Sequence, residues 1–228
     1  MELELKKECL DTYELGEPQT LTQEETAETI VPDYCPDIAR IISAEGVVCL
    51  HGGTEQDGVT GTVRVTVLYT PENESGVRAL EFAMPFSAQG EGLAGCAHVV
   101  VETEIELLES RMLNPRKIFT RCKLVTHLAG CRKVCLTISS DAETDPALLV
   151  EKRCCGQTVS LLRQVAEKDL TFSETMSLSL GREGAAELLH CRANGIVTET
   201  KAIGNKLIFK GVFLVSALYR TIGGQLAS

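Results

Sequence analysis

Tryptophan is absent, and aromatic residues make up only 4% of the 228-residue chain. Sugar-binding faces and base-stacking surfaces both favour aromatic platforms, so the composition argues against them and no nucleic-acid partner is expected. No apolar run approaches the roughly 18 residues that a membrane-spanning helix needs, so no membrane span is expected. The opening Met1-Glu2-Leu3-Glu4-Leu5 lacks the basic start and apolar core of an export signal. Phosphate-cradle, zinc-protease and nucleophile-elbow patterns are missing, as is any Cys-x-x-Cys. Glu24/Glu25 and Asp33/Asp37 offer carboxylate pairs, but surface carboxylates are the ordinary case in a chain with 32 acids. Gly181-Arg182-Glu183-Gly184 reads as a strand-to-helix turn rather than a phosphate site. No enzyme activity, catalytic residue, cofactor or metal is expected.

What is present is an ordinary globular composition, 44% hydrophobic and 24% charged. There are ten cysteines, including the adjacent Cys154-Cys155 and the pair Cys131 and Cys135. Without an export signal they read as reduced thiols of a cytoplasmic protein, acting as small apolar fillers in a β core. His51, His98, His127 and His190 form no ligand spacing with them.

The chain repeats itself. Leu21-Thr22-Gln23-Glu24-Glu25-Thr26 recurs as Leu170-Thr171-Phe172-Ser173-Glu174-Thr175, and Gly61–Tyr69 recurs as Gly211–Tyr219. Between these anchors, Ile41-Ile42 matches Leu188-Leu189 with small gaps. Two matches in order at nearly one offset point to a duplicated module. The first copy runs on through residue 139, whereas the sequence ends at Ser228 before a second copy is complete. The expected organisation is a first module over 1–140 with an N-terminal strand, then a linker strand region and partial second module over 141–228.

Alternation supplies the strands. Val63, Val65, Val67 and Tyr69 share one face, and Leu207, Phe209, Phe213, Val215 and Tyr219 keep that phase in the copy. The other face of the copy mixes Lys210, Ser216 and Arg220 with Ile208, Val212 and Leu214. A further strand covers about Val77–Phe86. Asp57-Gly58, Gly204-Asn205 and Asn114-Pro115 mark turns. Short helices are expected over Pro36–Ile42 and Glu183–Cys191. The fold class is mainly β: tandem antiparallel modules, sandwich-like, each with a short helix, the second incomplete.

Charge is uneven. Residues 1–110 carry 22 acids and 5 bases, whereas residues 111–140 carry 7 bases and no acid. On the strand after Asn114-Pro115, Lys117, Arg121 and Lys123 share one face and Ile118, Cys122 and Leu124 the other. Before the turn, Val101, Ile105 and Leu107 oppose Glu102, Glu104 and Glu106. A hairpin whose paired positions sum to 227 sets Glu106 against Arg121 and Glu104 against Lys123, giving a salt-bridged outer face. The alternative is a basic patch of Lys117, Arg121 and Lys123 that docks an acidic partner.

The segment Ile30-Val31-Pro32-Asp33-Tyr34-Cys35-Pro36-Asp37-Ile38-Ala39-Arg40-Ile41-Ile42 resembles the opening signature of the SPOCS domain, found in SipL-type spore coat morphogenetic proteins of endospore-forming clostridia. Phe82-Ala83-Met84-Pro85-Phe86 is similar to its Ile-Pro-Phe-type strand end, and Arg111–Lys117 to its Asn-x-Arg-Lys hairpin. Gly204–Gly211 is similar to the start of a second copy. The resemblance covers nearly the whole chain. It implies a non-enzymatic structural role in spore coat assembly, in the mother-cell cytoplasm at the forespore surface, with spore coat or coat-basement proteins as partners. Family members often add a LysM domain after tandem copies. The alternative is a glycan- or peptidoglycan-binding β-domain, which predicts an aromatic platform in a groove. The apolar strand Leu207–Arg220, with Ile208 and Leu214 as contact residues, leads us to expect self-association through the incomplete second module.

Overall fold

The computed structural model describes residues 4–51, 58–143, 151, 153, 156, 158–166, 171, 173–175, 177 and 183–228. Asp57, Cys154, Cys155, Leu170, Phe172, Gly181 and Arg182 lie outside the described residues, so the first repeat match and the Gly181–Gly184 turn are only partly covered. The protein is mainly β, with ten strands and no helix among the described residues. They are β1 (Glu4–Leu15), β2 (Gln19–Ile30), β3 (Ile38–His51), β4 (Gly58–Pro71) and β5 (Arg78–Gln89), then β6 (His98–Asn114), β7 (Lys117–Glu143), β8 (Ala185–Ile203), β9 (Lys206–Thr221) and β10 (Leu226–Ala227). Every pairing between them is antiparallel.

Strand β7 organises the first sheet. Its first half pairs β6 on one side and β2 on the other, and its second half pairs β1. β1 and β2 thus lie end to end along one edge of β7. Gly16, between them, donates its N–H to the Gly130 carbonyl at 2.8 Å. A second sheet, β3-β4-β5, lies across the first. The expected alternation holds: Val59, Val63, Val65, Val67 and Tyr69 of β4 are buried, as are Leu80, Met84 and Phe86 of β5. From the other side come Ile118, Cys122, Leu124 and Leu128 of β7, forming one continuous core. Edge strand β3 meets β6 at one side and β2 meets β5 at the other, so the sandwich is nearly closed.

The two expected helices are instead strand from Ile38 and from Ala185 onward, and the register shows why. In β3, Ile38 faces Pro71, Ile41 faces Tyr69 and Ala44 faces Val67, with β-bulges between Ile38 and Arg40 and between Ile41 and Ser43. Each bulge inserts one residue, so inward positions recur every three residues instead of every two. That spacing imitates a helix. In β8, Ala185 faces Thr221, Leu188 faces Tyr219 and Cys191 faces Ala217, with bulges at the matching places. Strand pair β8–β9 therefore carries the irregular register of β3–β4, which alternation alone does not produce. Tyr69 and Tyr219 occupy equivalent buried positions.

The expected hairpin register is also corrected. Glu104 faces Val125, and after a bulge between Ile105 and Leu107 it is Glu109 that faces Arg121. The bulge reverses the phase of β6, so Leu108 packs on the core and Leu107 is exposed.

The expectation of free thiols is corrected at one pair. Cys9 and Cys135 are joined as a disulfide across β1 and β7, their Cα atoms 5.7 Å apart. Cys9 faces Thr137 and Cys135 faces Asp11, a diagonal placement within disulfide reach. Cys35, Cys49, Cys96, Cys122, Cys131 and Cys191 are free.

Candidate functional site: a clamped loop and a basic strand

The signature segment forms the loop from Val31 to Asp37, between β2 and β3. Proline at 32 and 36 removes two backbone donors and restricts the chain, and Cys35 N–H closes a turn on the Pro32 carbonyl at 2.9 Å. Arg116, in the tight turn of the β6–β7 hairpin, holds the loop from below. Its Nη1 donates to the Cys35 carbonyl at 2.8 Å and to Asp37 Oδ1 at 3.1 Å. Its Nη2 donates to the Val31 carbonyl at 2.8 Å and to Asp33 Oδ1 at 3.1 Å. The planar guanidinium suits this because its donors point in fixed directions.

The hairpin backbone completes the clamp. Val31 N–H donates to the Arg116 carbonyl and Ile38 N–H to the Pro115 carbonyl, each at 2.9 Å. Asn114 Oδ1 accepts from the Arg116 N–H at 2.9 Å and shapes the turn. From the core, the Tyr69 hydroxyl lies 3.4 Å from the Pro36 carbonyl. Burial pushes the Tyr69 hydroxyl up to about 12, with the neighbouring Cys35 adding to the shift. Asp33 and Asp37 are therefore partners of Arg116 and lie along one guanidinium edge, not around a cavity. At the loop tip Tyr34 is 87% exposed.

The three basic residues read as a partner surface are all ion-paired. Lys117 pairs with Glu28. Arg121 pairs with Glu109 at 3.0 Å and approaches Glu24 at 3.9 Å. Lys123 pairs with Glu106 at 2.8 Å. Glu24 and Glu28 come from β2 and Glu106 and Glu109 from β6, so the acidic residues 1–110 supply counter-charges on both flanks of β7. Ile208 and Leu214 are exposed on β9, far along the chain from this basic face.

Arg116, one of the 7 bases of residues 111–140, is a structural anchor that no expectation from the sequence singled out. Its signal was the Asp33/Asp37 spacing beside two prolines, a loop that needs donors. Tyr34 was missed for want of any pattern that marks a loop tip. The other strongly exposed aromatics, Phe209 and Phe213, are on one face of a ribbon and not in a groove. Among the described residues no group of three His, Cys, Asp or Glu could hold a metal ion. No described helix is long and apolar enough to cross a membrane. No family model, curated protein or solved structure matches the chain.

Proposed function

We propose that the chain is a non-enzymatic structural module that joins proteins during spore coat assembly on the forespore surface, in the mother-cell cytoplasm. It is built from two related SPOCS-like modules, 1–140 and a partial one over 141–228. Coat or coat-basement proteins are the partners. The observation that carries this reading is the clamped loop. The residues that resemble the SPOCS signature divide into a set that fixes the backbone, Arg116 with Asp33 and Asp37, and a single aromatic side chain held out in water, Tyr34. A rigid, exposed tyrosine presents contact area at little entropy cost, which suits protein recognition.

A fluorescent fusion of the chain, expressed in a sporulating clostridium, tests this. The expected pattern is a shell of signal around the forespore, lost or weakened on Tyr34→Ala while the protein level is unchanged. Signal that stays diffuse in the mother cell throughout coat assembly rejects the reading.

A further inference from the structure

Both faces of the ribbon β8–β9 expose apolar side chains, but only one of them carries charge. One face carries Leu207, Phe209, Gly211, Phe213, Val215, Ala217 and Tyr219 opposite Ala202, Thr200, Val197, Gly195, Ala193, Cys191 and Leu188. None of those 14 positions is charged. The other face carries Lys201, Glu199, Lys210, Arg192, Glu187 and Arg220, with Ile196, Ile208, Val212 and Leu214 exposed between them. There Glu199 bonds Lys201 and Lys210, which hold its carboxyl below the usual range. This charged face turns toward the first unit at the ribbon base, where His190 Nε2 lies 3.1 Å from Glu45 Oε2.

The uncharged face is in the phase of Val59, Val63, Val65, Val67 and Tyr69, the β4 face that the first sandwich buries completely. In β9 the Tyr219 end is buried, while Leu207 and Phe209 are 58% and 60% exposed and Val197 is exposed beside them. We infer that a second copy of the chain covers this face, the two ribbons packing face to face as a four-stranded sandwich.

Three observations select that occupant. In the first unit, the equivalent β4 face is covered by another sheet, and the ribbon itself is a sheet with a matching apolar face. The face holds no charge, so it meets its own copy with no like-charge contact, and a charged partner would find no counter-charge. Lipid is a poor cover, because the β9 edge from Lys206 to Leu218 has no strand partner among the described residues. Unpaired backbone groups in hydrocarbon cost several kcal/mol each. Strand addition along that edge would pair backbone but leave Leu207 and Phe209 in water. The apolar stretch is roughly 35 Å long and 10 Å wide. That is on the order of 350 Å² per copy, below the roughly 800 Å² of a standard stable interface. The association is therefore reversible. Such a dimer is independent of any role at the forespore.

Sedimentation velocity of the whole chain from about 1 to about 100 μM tests it. The expected result is one monomer–dimer equilibrium. Phe209→Lys, which places two charges in the dry interface, weakens it about 100-fold or more. Ile208→Lys, one residue away on the charged face, changes it by less than about threefold. Far-UV circular dichroism and the thermal transition of each variant confirm folding, and Val215→Lys is a second interface variant for use where Phe209→Lys fails to fold. A wild-type chain that stays monomeric at the top of the range overturns the inference. So does equal disruption by Ile208→Lys and Phe209→Lys, which would mark edge pairing. So does uptake of the chain by phosphatidylglycerol vesicles at the expense of the dimer.

Discussion

Arg116 shows how one side chain can turn a flexible loop into a fixed shape. It satisfies two backbone carbonyls and two carboxylates that would otherwise depend on water, and it is itself only one-third exposed. Lysine keeps the charge but not the fork. Arg116→Lys is therefore expected to lower unfolding free energy by about 1–2 kcal/mol, read from the urea midpoint at unchanged slope. The same variant speeds amide exchange at Val31 and Cys35; unchanged exchange there contradicts the clamp. Two acidic side chains in the core set a pH limit. Burial pushes the Cys122 thiol up from 9.0 to about 11, with Glu25 adding charge repulsion. Tyr69 rises from 10.0 to about 12. In both, the fold favours the neutral form, so the stability they lend is complete below the unfolded values. It is lost as pH rises from about 9 through about 12. Urea midpoints are expected to fall across that window, and Cys122→Ala to flatten its lower part; a midpoint constant to pH 12 contradicts the assignment.

At the scale of elements, glycine shows where two strands come unusually close. A Cβ on Gly61 of β4 would sit 2.5 Å from the Phe86 ring of β5, and 3.0 Å from the Cys49 carbonyl of β3. The ring lies directly over the glycine, and these two residues pair in register. Gly61→Ala is expected to cost about 1–3 kcal/mol, and Phe86→Leu in the same chain to recover part of it. Strictly additive losses in the double-mutant cycle would show that ring and glycine do not interact. The phases of β4, β5 and the first half of β7 were legible in the sequence because each alternates regularly against a single core. The phase of β6 past Glu106 was not, since one bulge sends Leu108 inward where alternation expected Leu107. The helices expected over Pro36–Ile42 and Glu183–Cys191 have the same cause, two bulges near the start of each strand that convert a period of two into a period near three. Bulges depend on the partner strand, so local pattern cannot place them. The face shared by Lys117, Arg121 and Lys123 was legible for the opposite reason, since it follows from regular alternation in β7. Their acidic partners from β2 could not be assigned without knowing which strand lies beside β7.

At the scale of the whole molecule, stability is unevenly divided. The core that joins the two sheets draws all its buried members from Val31 to Leu128. Beyond it, β1 is held on the far half of β7 by backbone pairing. The ribbon β8–β9 contributes two buried hydrophobic side chains, Leu189 and Tyr219. Its base is tied to the first unit by polar contacts. Glu187 bridges Arg220 at 3.2 Å and Arg78 at 3.6 Å, and Arg220 donates to the Val77 carbonyl at 2.6 Å. Partly exposed ion pairs of this kind contribute about 0–1 kcal/mol each, and a two-stranded ribbon is marginal alone. The chain is therefore expected to unfold in two steps. The ribbon loosens first, at a temperature that rises with protein concentration where a second copy covers it, and the sandwich unfolds later as a cooperative unit. A shortened chain of residues 1–143 is expected to keep the second transition within a few degrees, whereas residues 183–228 alone are expected to lack stable strand signal by circular dichroism. If the shortened chain melts without cooperativity, the sandwich needs the ribbon, and the division of stability drawn from the core is wrong.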